Sequence, residues 1–358
     1  MNEGGRYDSG GMTVQQDWRV GWSHQLEGKV CAIAADAAGM IVAAGGVIRM
    51  LDVEGEFVWR RELAFDVYHL EIDHHTVAVL AGPGFHLLDI ATGEPLGEGR
   101  SVSGGFRSVI ARPGGGWVLQ DRGDHMHLFD RTGRGIRRLR PGRIRHLVGW
   151  LDREHLLVHD DDGYLRCLRL SGDDSQRVIE GRRWVWVSRL CGGRLLVQSP
   201  EGSLYEGTPN PFGWDSLEQL RELAADPLAA DRCGDGWWLL TLSETLEQVP
   251  PTSTAAMPAG HLLSSNGADV MCTATRDGLV RWWESPQLAS RRSEILKRLV
   301  VSERRRIDWE QRQVMFEAAL AAEDEGMLTN AIELYQALGR TEDVRRLLGQ
   351  QEQASAGG

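Results

Sequence analysis

Apolar residues along most of this chain come in short runs, each ended by a Gly or Asp turn. In the first unit Val30-Cys-Ala-Ile-Ala-Ala, Met40-Ile-Val-Ala-Ala, Val47-Ile-Arg-Met-Leu-Asp and Glu56-Phe-Val-Trp predict four successive strands. Gly45-Gly46 and Glu54-Gly55 supply hairpin turns, where positive φ is needed. The third strand of each unit ends alike. Leu51-Asp52 precedes Gly55, Leu88-Asp89 precedes Gly93, Phe129-Asp130 precedes Gly133 and Leu168-Arg169 precedes Gly172. The steps from Asp52 to Asp89 to Asp130 to Arg169 are 37, 41 and 39 residues. Weaker units centre on Trp184 to Gly207, Pro227 to Val249 and His261 to Glu284, making seven. That period is the spacing of propeller blades.

A lone four-stranded blade is apolar on both faces, so blades must stack and the ring must close. The seventh unit stops after its third strand, Leu279-Val-Arg-Trp-Trp-Glu, because Ser285-Pro286 is poor strand material. The missing strand is found near the other end. Val20-Gly-Trp22-Ser-His-Gln-Leu26 aligns with the first unit's fourth strand, Phe57-Val-Trp59-Arg-Arg-Glu-Leu63, at a distance of 37 residues. The expected fold is therefore an all-β propeller of seven four-stranded blades closed by the N-terminal strand, followed by a small helical tail. Residues 1–16 are expected to be a disordered leader, 17–289 the propeller, 290–349 the tail and 350–358 disordered. The segment 210–226 is expected to insert a helix, Leu217 to Ala225, between blades.

Cys272-Thr-Ala-Thr-Arg-Asp277-Gly278-Leu-Val-Arg-Trp282 resembles the strand–turn–strand of a WD40 repeat, with Asp-Gly at the turn and Trp closing the strand. The Leu-Asp-x-x-Gly turn followed by Trp59 is more similar to quinoprotein-like (PQQ-type) repeats. No unit carries both Gly-His and Trp-Asp, so the whole resembles a degenerate bacterial propeller.

From about Ser290 the period becomes helical. Ile307, Val314 and Leu320, with Trp309 and Phe316, mark an apolar face on a helix that Gly326 can end. A second helix carries Ala331, Ile332, Leu334, Tyr335 and Leu338, and a third begins at the N-cap Thr341 and ends before Gly349. Gly326-Met-Leu328-Thr-Asn-Ala331-Ile332-Glu333-Leu-Tyr335-Gln-Ala-Leu338 resembles the core of a tetratricopeptide hairpin. One such hairpin cannot bury its own stripe, so the tail must dock on something. Trp309, Phe316, Leu320, Leu328 and Tyr335 are its candidate partner-binding residues.

Composition narrows the function classes. The chain is 42% hydrophobic and 25% charged, and its net charge of −11 argues against nucleic-acid binding by bulk charge. Only Lys29 and Lys297 are lysine among 40 cationic residues, a bias that lowers the weight of any Arg cluster. One cluster still stands out, Arg131 to Arg145, where Arg137, Arg138 and Arg140 are candidates for an acidic protein or nucleic acid. A guarded edge strand is the simpler reading. The five cysteines form no CxxC pair, no apolar run reaches membrane-spanning length, and the N-terminus lacks an apolar signal core. A cytoplasmic protein with free thiols is expected.

Motifs for chemistry are scarce. P-loop, HExxH, GxSxG and dinucleotide-binding patterns are absent. Asp160-Asp-Asp-Gly163 reads as a hairpin turn, without the Glu an EF-hand requires. His125 and His127 share a strand face, the geometry zinc wants, but no third ligand is near in sequence. The expectation is no cofactor, no metal and no enzymatic activity. In general look the chain resembles the bacterial propellers that accompany MoxR-type ATPases and von Willebrand A proteins in conflict systems, and that resemblance implies an AAA+ ATPase or vWA protein as partner. The rival readings are a propeller enzyme or ligand-binding protein with a site in the central channel, which converging Asp, Glu, Asn or His would favour and a lining of small apolar residues would sink, and nucleic-acid binding through Arg131–Arg145.

Overall fold

The computed structural model describes residues 18–97, 100–170, 176–234, 236–249, 257–258 and 260–356. The expected leader, residues 1–16, lies outside the described residues. The chain divides into two compact units, residues 1–289 and 290–358.

The first unit consists of seven four-stranded antiparallel sheets. Six are consecutive meanders, and the seventh takes its outermost strand, Arg19–Gln25, from the start of the chain, paired with Leu279–Glu284. This is a seven-bladed propeller with N-terminal closure. The innermost strands are Val30–Ala35, Val67–Asp73, Phe106–Ala111, Ile144–Trp150, Trp186–Val187, Pro227–Cys233 and Leu262–Ser265. In five of them the register slips one residue into the strand, at Val30/Ala32, Val67/His69, Phe106/Ser108, Ile144/His146 and Pro227/Ala229. Such a bulge adds local twist, and its recurrence is a repeat the residue types do not display.

Seven separate apolar clusters fill the seven blade interfaces. The cluster at the join combines Val30, Met40 and Leu51 of the first blade with Val270, Cys272 and Trp282 of the last. Adjacent Trp237 and Trp238 serve two interfaces, one facing Leu196 and Leu204, the other Met271 and Trp283. That follows from side chains alternating across a strand.

The Leu-Asp-x-x-Gly turn has two causes. Asp52 Oδ1 accepts the backbone N–H of Glu54 and of Glu56, both at 2.9 Å. Gly55 then makes room for the preceding blade's tryptophan, since a Cβ there would lie 2.9 Å from the Trp22 ring. Trp22 Nε1 donates to Val53 O at 3.2 Å, and one blade later Trp59 Nε1 donates to Ile90 O at 2.8 Å. The Trp and the Gly of the repeat are thus two halves of one contact between blades.

The expected helix at 217–225 is not formed. Gly213–Glu222 is the outer strand of the fifth blade, paired with Ser203–Asn210 across a turn at Pro211-Phe212. Leu217 and Leu220 sit three apart among good helix formers, which mimics an amphipathic helix, but the hairpin partner overrides that propensity. Trp214 and Leu217 pack on the cluster between blades four and five, Leu220 and Leu223 on the next.

Helix α1 spans Pro286–Asp324, α2 Leu328–Ala337 and α3 Thr341–Ala356. The first helix thus starts before the expected Ser290, with Ser285 Oγ accepting the Leu288 N–H at 3.2 Å and Pro286 tolerated in the first turn. The third continues through Gly349 to Ala356, so residues 350–356, expected to be disordered, are helical. The second unit has its own small core, Ala319, Ala322, Ala331, Ile332, Tyr335 and Leu347. No helix among the described residues is long and apolar enough to cross a membrane.

Candidate functional site

The inner strands of five blades surround a central bore with a cavity of about 560 Å³. Ala32 and Ala34 give part of its lining, but His69, Glu71, Arg189, Cys191 and Asp231 converge on it too. Arg189, beyond the fifth blade's inner strand, reaches across to Glu71 of the second, with Nη2 to Oε1 at 2.5 Å. Glu71 is buried, while the Arg189 side chain remains 54% exposed to the water of the bore. The Glu71 carboxylate raises the guanidinium's pKa.

The second carboxylate is satisfied separately. Asp231 Oδ1 accepts the Cys191 thiol at 3.2 Å and the Arg232 N–H at 2.9 Å, and Oδ2 accepts the Ser265 N–H at 2.8 Å. Burial raises the Asp231 pKa against the opposing pull of Arg189. Burial, reinforced by Asp231, pushes the Cys191 thiol up to about 12, so it stays protonated and weakly nucleophilic at neutral pH. His69 is lowered chiefly by burial, with Glu71 opposing. The bore is therefore polar and cross-braced, with its carboxylates held by side chains and backbone of the ring. No sequence signal distinguished these residues, because a Glu, His or Asp inside an inner strand looks like any residue on a solvated face.

The paired histidines of the third blade meet one carboxylate. His127 Nε2 lies 2.8 Å from Asp121 Oδ2, and His125 Nδ1 lies 3.3 Å from the same oxygen. Burial works to raise the Asp121 pKa, but hydrogen bonds from His127 and from the backbone of His125 and Gly123 outweigh it and lower it. Among the described residues no group of three His, Cys, Asp or Glu is placed to hold a metal ion.

The arginine stretch lies where the pattern placed it, on the outer strand of blade three, Gly135–Leu139, and the loop beyond. Arg137, Arg138 and Arg140 are exposed on that edge. Its two end members have local duties: Arg131 donates to Gly114 O at 2.9 Å, and Arg145 reaches Val185 O and Asp161 O, both at 3.4 Å.

The tail residues separate into two groups. Tyr335 is 1% exposed, and Phe316 and Leu328 pack against the same core. Arg340 lies over the Phe316 ring at 4.5 Å, and Arg346 holds Glu323 with Nη1 to Oε1 at 2.5 Å. These residues build the unit. Trp309 and Leu320 face outward, Trp309 at 66% exposure. At about 100° per residue, Leu320 lies close to the direction of Trp309, whereas Ile307 and Val314 point to the opposite side of α1. The single apolar face expected on this helix is thus two faces.

No protein-family model matches this chain, and no curated protein does. Among solved structures, a chain in the crystal structure of the Mitotic Checkpoint Complex is similar, with a TM-score of 0.60 at 9% identity over 79% of this chain and 97% of that one. BamB from Moraxella catarrhalis is similar with a TM-score of 0.48 at 13% identity, over 74% of this chain and 87% of that one. The first likeness carries the fold, in agreement with the strand order.

Proposed function

We propose that this chain is a cytoplasmic protein-interaction scaffold, a propeller whose helical tail takes a protein partner on the Trp309–Leu320 face of α1. The observation that carries this reading is Trp309, 66% exposed on the side of α1 opposite Ile307 and Val314. Trp is among the residue types most enriched at the centres of protein interfaces. Leu320, 43% exposed, lies on the same side about 16 Å further along the helix.

The convergence of His69, Glu71 and Asp231 makes a ligand-binding or catalytic site in the bore the second reading. Its carboxylates are engaged by Arg189, Cys191 and backbone N–H groups, and the Cys191 thiol is held protonated. A general base needs a carboxylate or imidazole free to take a proton, a role for which His69, its pKa lowered by burial, is the bore's candidate. The resemblance to propellers that accompany MoxR-type ATPases and vWA proteins makes those the partner classes to test first. At 9% identity, the similarity to the checkpoint-complex chain contributes the fold to this reading and no partner.

The test is affinity capture from the native host, comparing the full chain with a Trp309→Ser, Leu320→Ser variant. The reading expects a specific interactor, an AAA+ ATPase or vWA protein foremost, to be retained by the parent and lost from the variant. An identical set of captured proteins would overturn it.

A further inference from the structure

The second face of α1 points to a different occupant. Val300, Ile307 and Val314 recur every seven residues, with Leu296 one turn before Val300, and they are 53%, 42%, 65% and 61% exposed. Seven residues are nearly two helical turns, so these four side chains form one stripe along the middle half of the helix. Glu303 and Glu310 fall between them, and Arg306 pairs with both, at 2.5 and 3.3 Å, at the stripe's edge.

The charges on this helix are segregated. From 291 to 306 there are seven Arg or Lys against two Glu; from 308 to 324 there are five Asp or Glu against one Arg. This order opposes the helix's own dipole, which favours acids at the N-terminus and bases at the C-terminus. The first turn has no acid and the last turn no base. An isolated helix gains nothing from such an arrangement. A neighbouring helix of the same sequence, running the other way, gains a great deal.

We infer that α1 pairs with the α1 of a second copy of this chain in an antiparallel, two-fold symmetric manner centred on Ile307. Val300 and Val314 lie seven residues either side of Ile307, so the pairing sets Val300 of each copy level with Val314 of the other, and Leu296 level with Ala318. The basic half of each helix lies along the acidic half of its mate, and the two dipoles oppose. In an antiparallel pair the flanks of one kind face each other, which brings Arg304 of one copy beside Asp308 of the other, twice by symmetry. The Trp309 face points away from this seam, so self-pairing leaves it open. The particle then carries two propellers and two copies of the partner-binding face, and avidity follows from that stoichiometry. This inference is independent of the proposed partner, whose face lies on the other side of the helix.

Sedimentation equilibrium on the full purified chain tests it. The pairing predicts a concentration-dependent monomer–dimer equilibrium, weakened at least about tenfold by Ile307→Asp or Val314→Asp, which place charge in the stripe. Both sites are exposed, so unchanged circular dichroism is expected and confirms that the variants fold. Arg304→Asp alone must weaken the dimer by setting like charges together, and adding Asp308→Arg must restore it. In a parallel pair these two positions do not meet, so the rescue is specific to the antiparallel arrangement. A chain that stays monomeric throughout, a dimer indifferent to the stripe variants, or a missing rescue would each overturn the inference. Loss of dimer with partner capture intact would overturn only this inference and leave the scaffold reading standing.

Discussion

Trp22 stacks on Trp282, with ring centroids 5.7 Å apart and planes within 12°, where the first strand of the chain pairs with the last. Trp282 is fully buried at the centre of the closing interface, and Trp22 covers it from the outer strand while donating to Val53 O of the first blade. One pair of rings therefore ties both ends of the propeller and its first blade together. Trp22→Ala should lower the unfolding free energy by about 2–3 kcal/mol and Trp282→Ala by about 3–5 kcal/mol, the range for large-to-small changes at such sites. Urea denaturation measures both. A loss no greater than that of an ordinary surface substitution, about 0.5 kcal/mol, would show that the ring does not depend on this clasp.

The clasp was legible in the sequence because Trp22 and Trp59 occupy matching positions and their contacts repeat. The fifth blade was not. Its outer strand carries Leu217 and Leu220 at helical spacing, and only the hairpin partner at Ser203–Asn210 decides against a helix. The bore was opaque for another reason. Glu71 and Arg189 are brought together from blades two and five, 118 residues apart, and no local pattern encodes a contact across a ring. In the tail, residue types identified the helices but not their facing: Tyr335 and Phe316 turned inward to the unit's own core, while Trp309 was left in water.

The Glu71–Arg189 pair should behave as a brace. Arg189→Leu leaves a buried carboxylate without its partner and is expected to destabilise the propeller by about 2–3 kcal/mol, less than for a fully buried pair because Arg189 reaches water. The double variant Glu71→Leu, Arg189→Leu removes the uncompensated charge and should recover most of that loss. A double-mutant cycle read by thermal or urea unfolding measures the coupling. Purely additive effects would mean that the two side chains meet without supporting each other.

Acid should weaken the propeller before its carboxylates titrate. His146 is buried against His159, with ring centroids 5.0 Å apart, and burial, aided by that neighbour, lowers its pKa from 6.5 to about 3. The unfolded chain then binds a proton that the folded chain refuses, so this stability is present above pH 6.5 and falls as pH drops toward 3. One such site contributes a slope of about 1.4 kcal/mol per pH unit. His69 and His159 are lowered too, chiefly by burial, and add to the same trend. His146→Gln should flatten the pH dependence of urea midpoints by roughly one proton's worth. An unchanged slope would show that His146 is charged in the folded state.

We propose that this propeller works by presenting its tail helix to a protein. Amide hydrogen exchange of the full chain, alone and bound to its captured partner, tests that most directly. New protection is expected in α1 around Trp309 to Leu320, with the bore strands Val67–Asp73 and Pro227–Cys233 exchanging as before. Protection confined to those bore strands, with α1 unchanged, would contradict it and move the site to the centre of the ring.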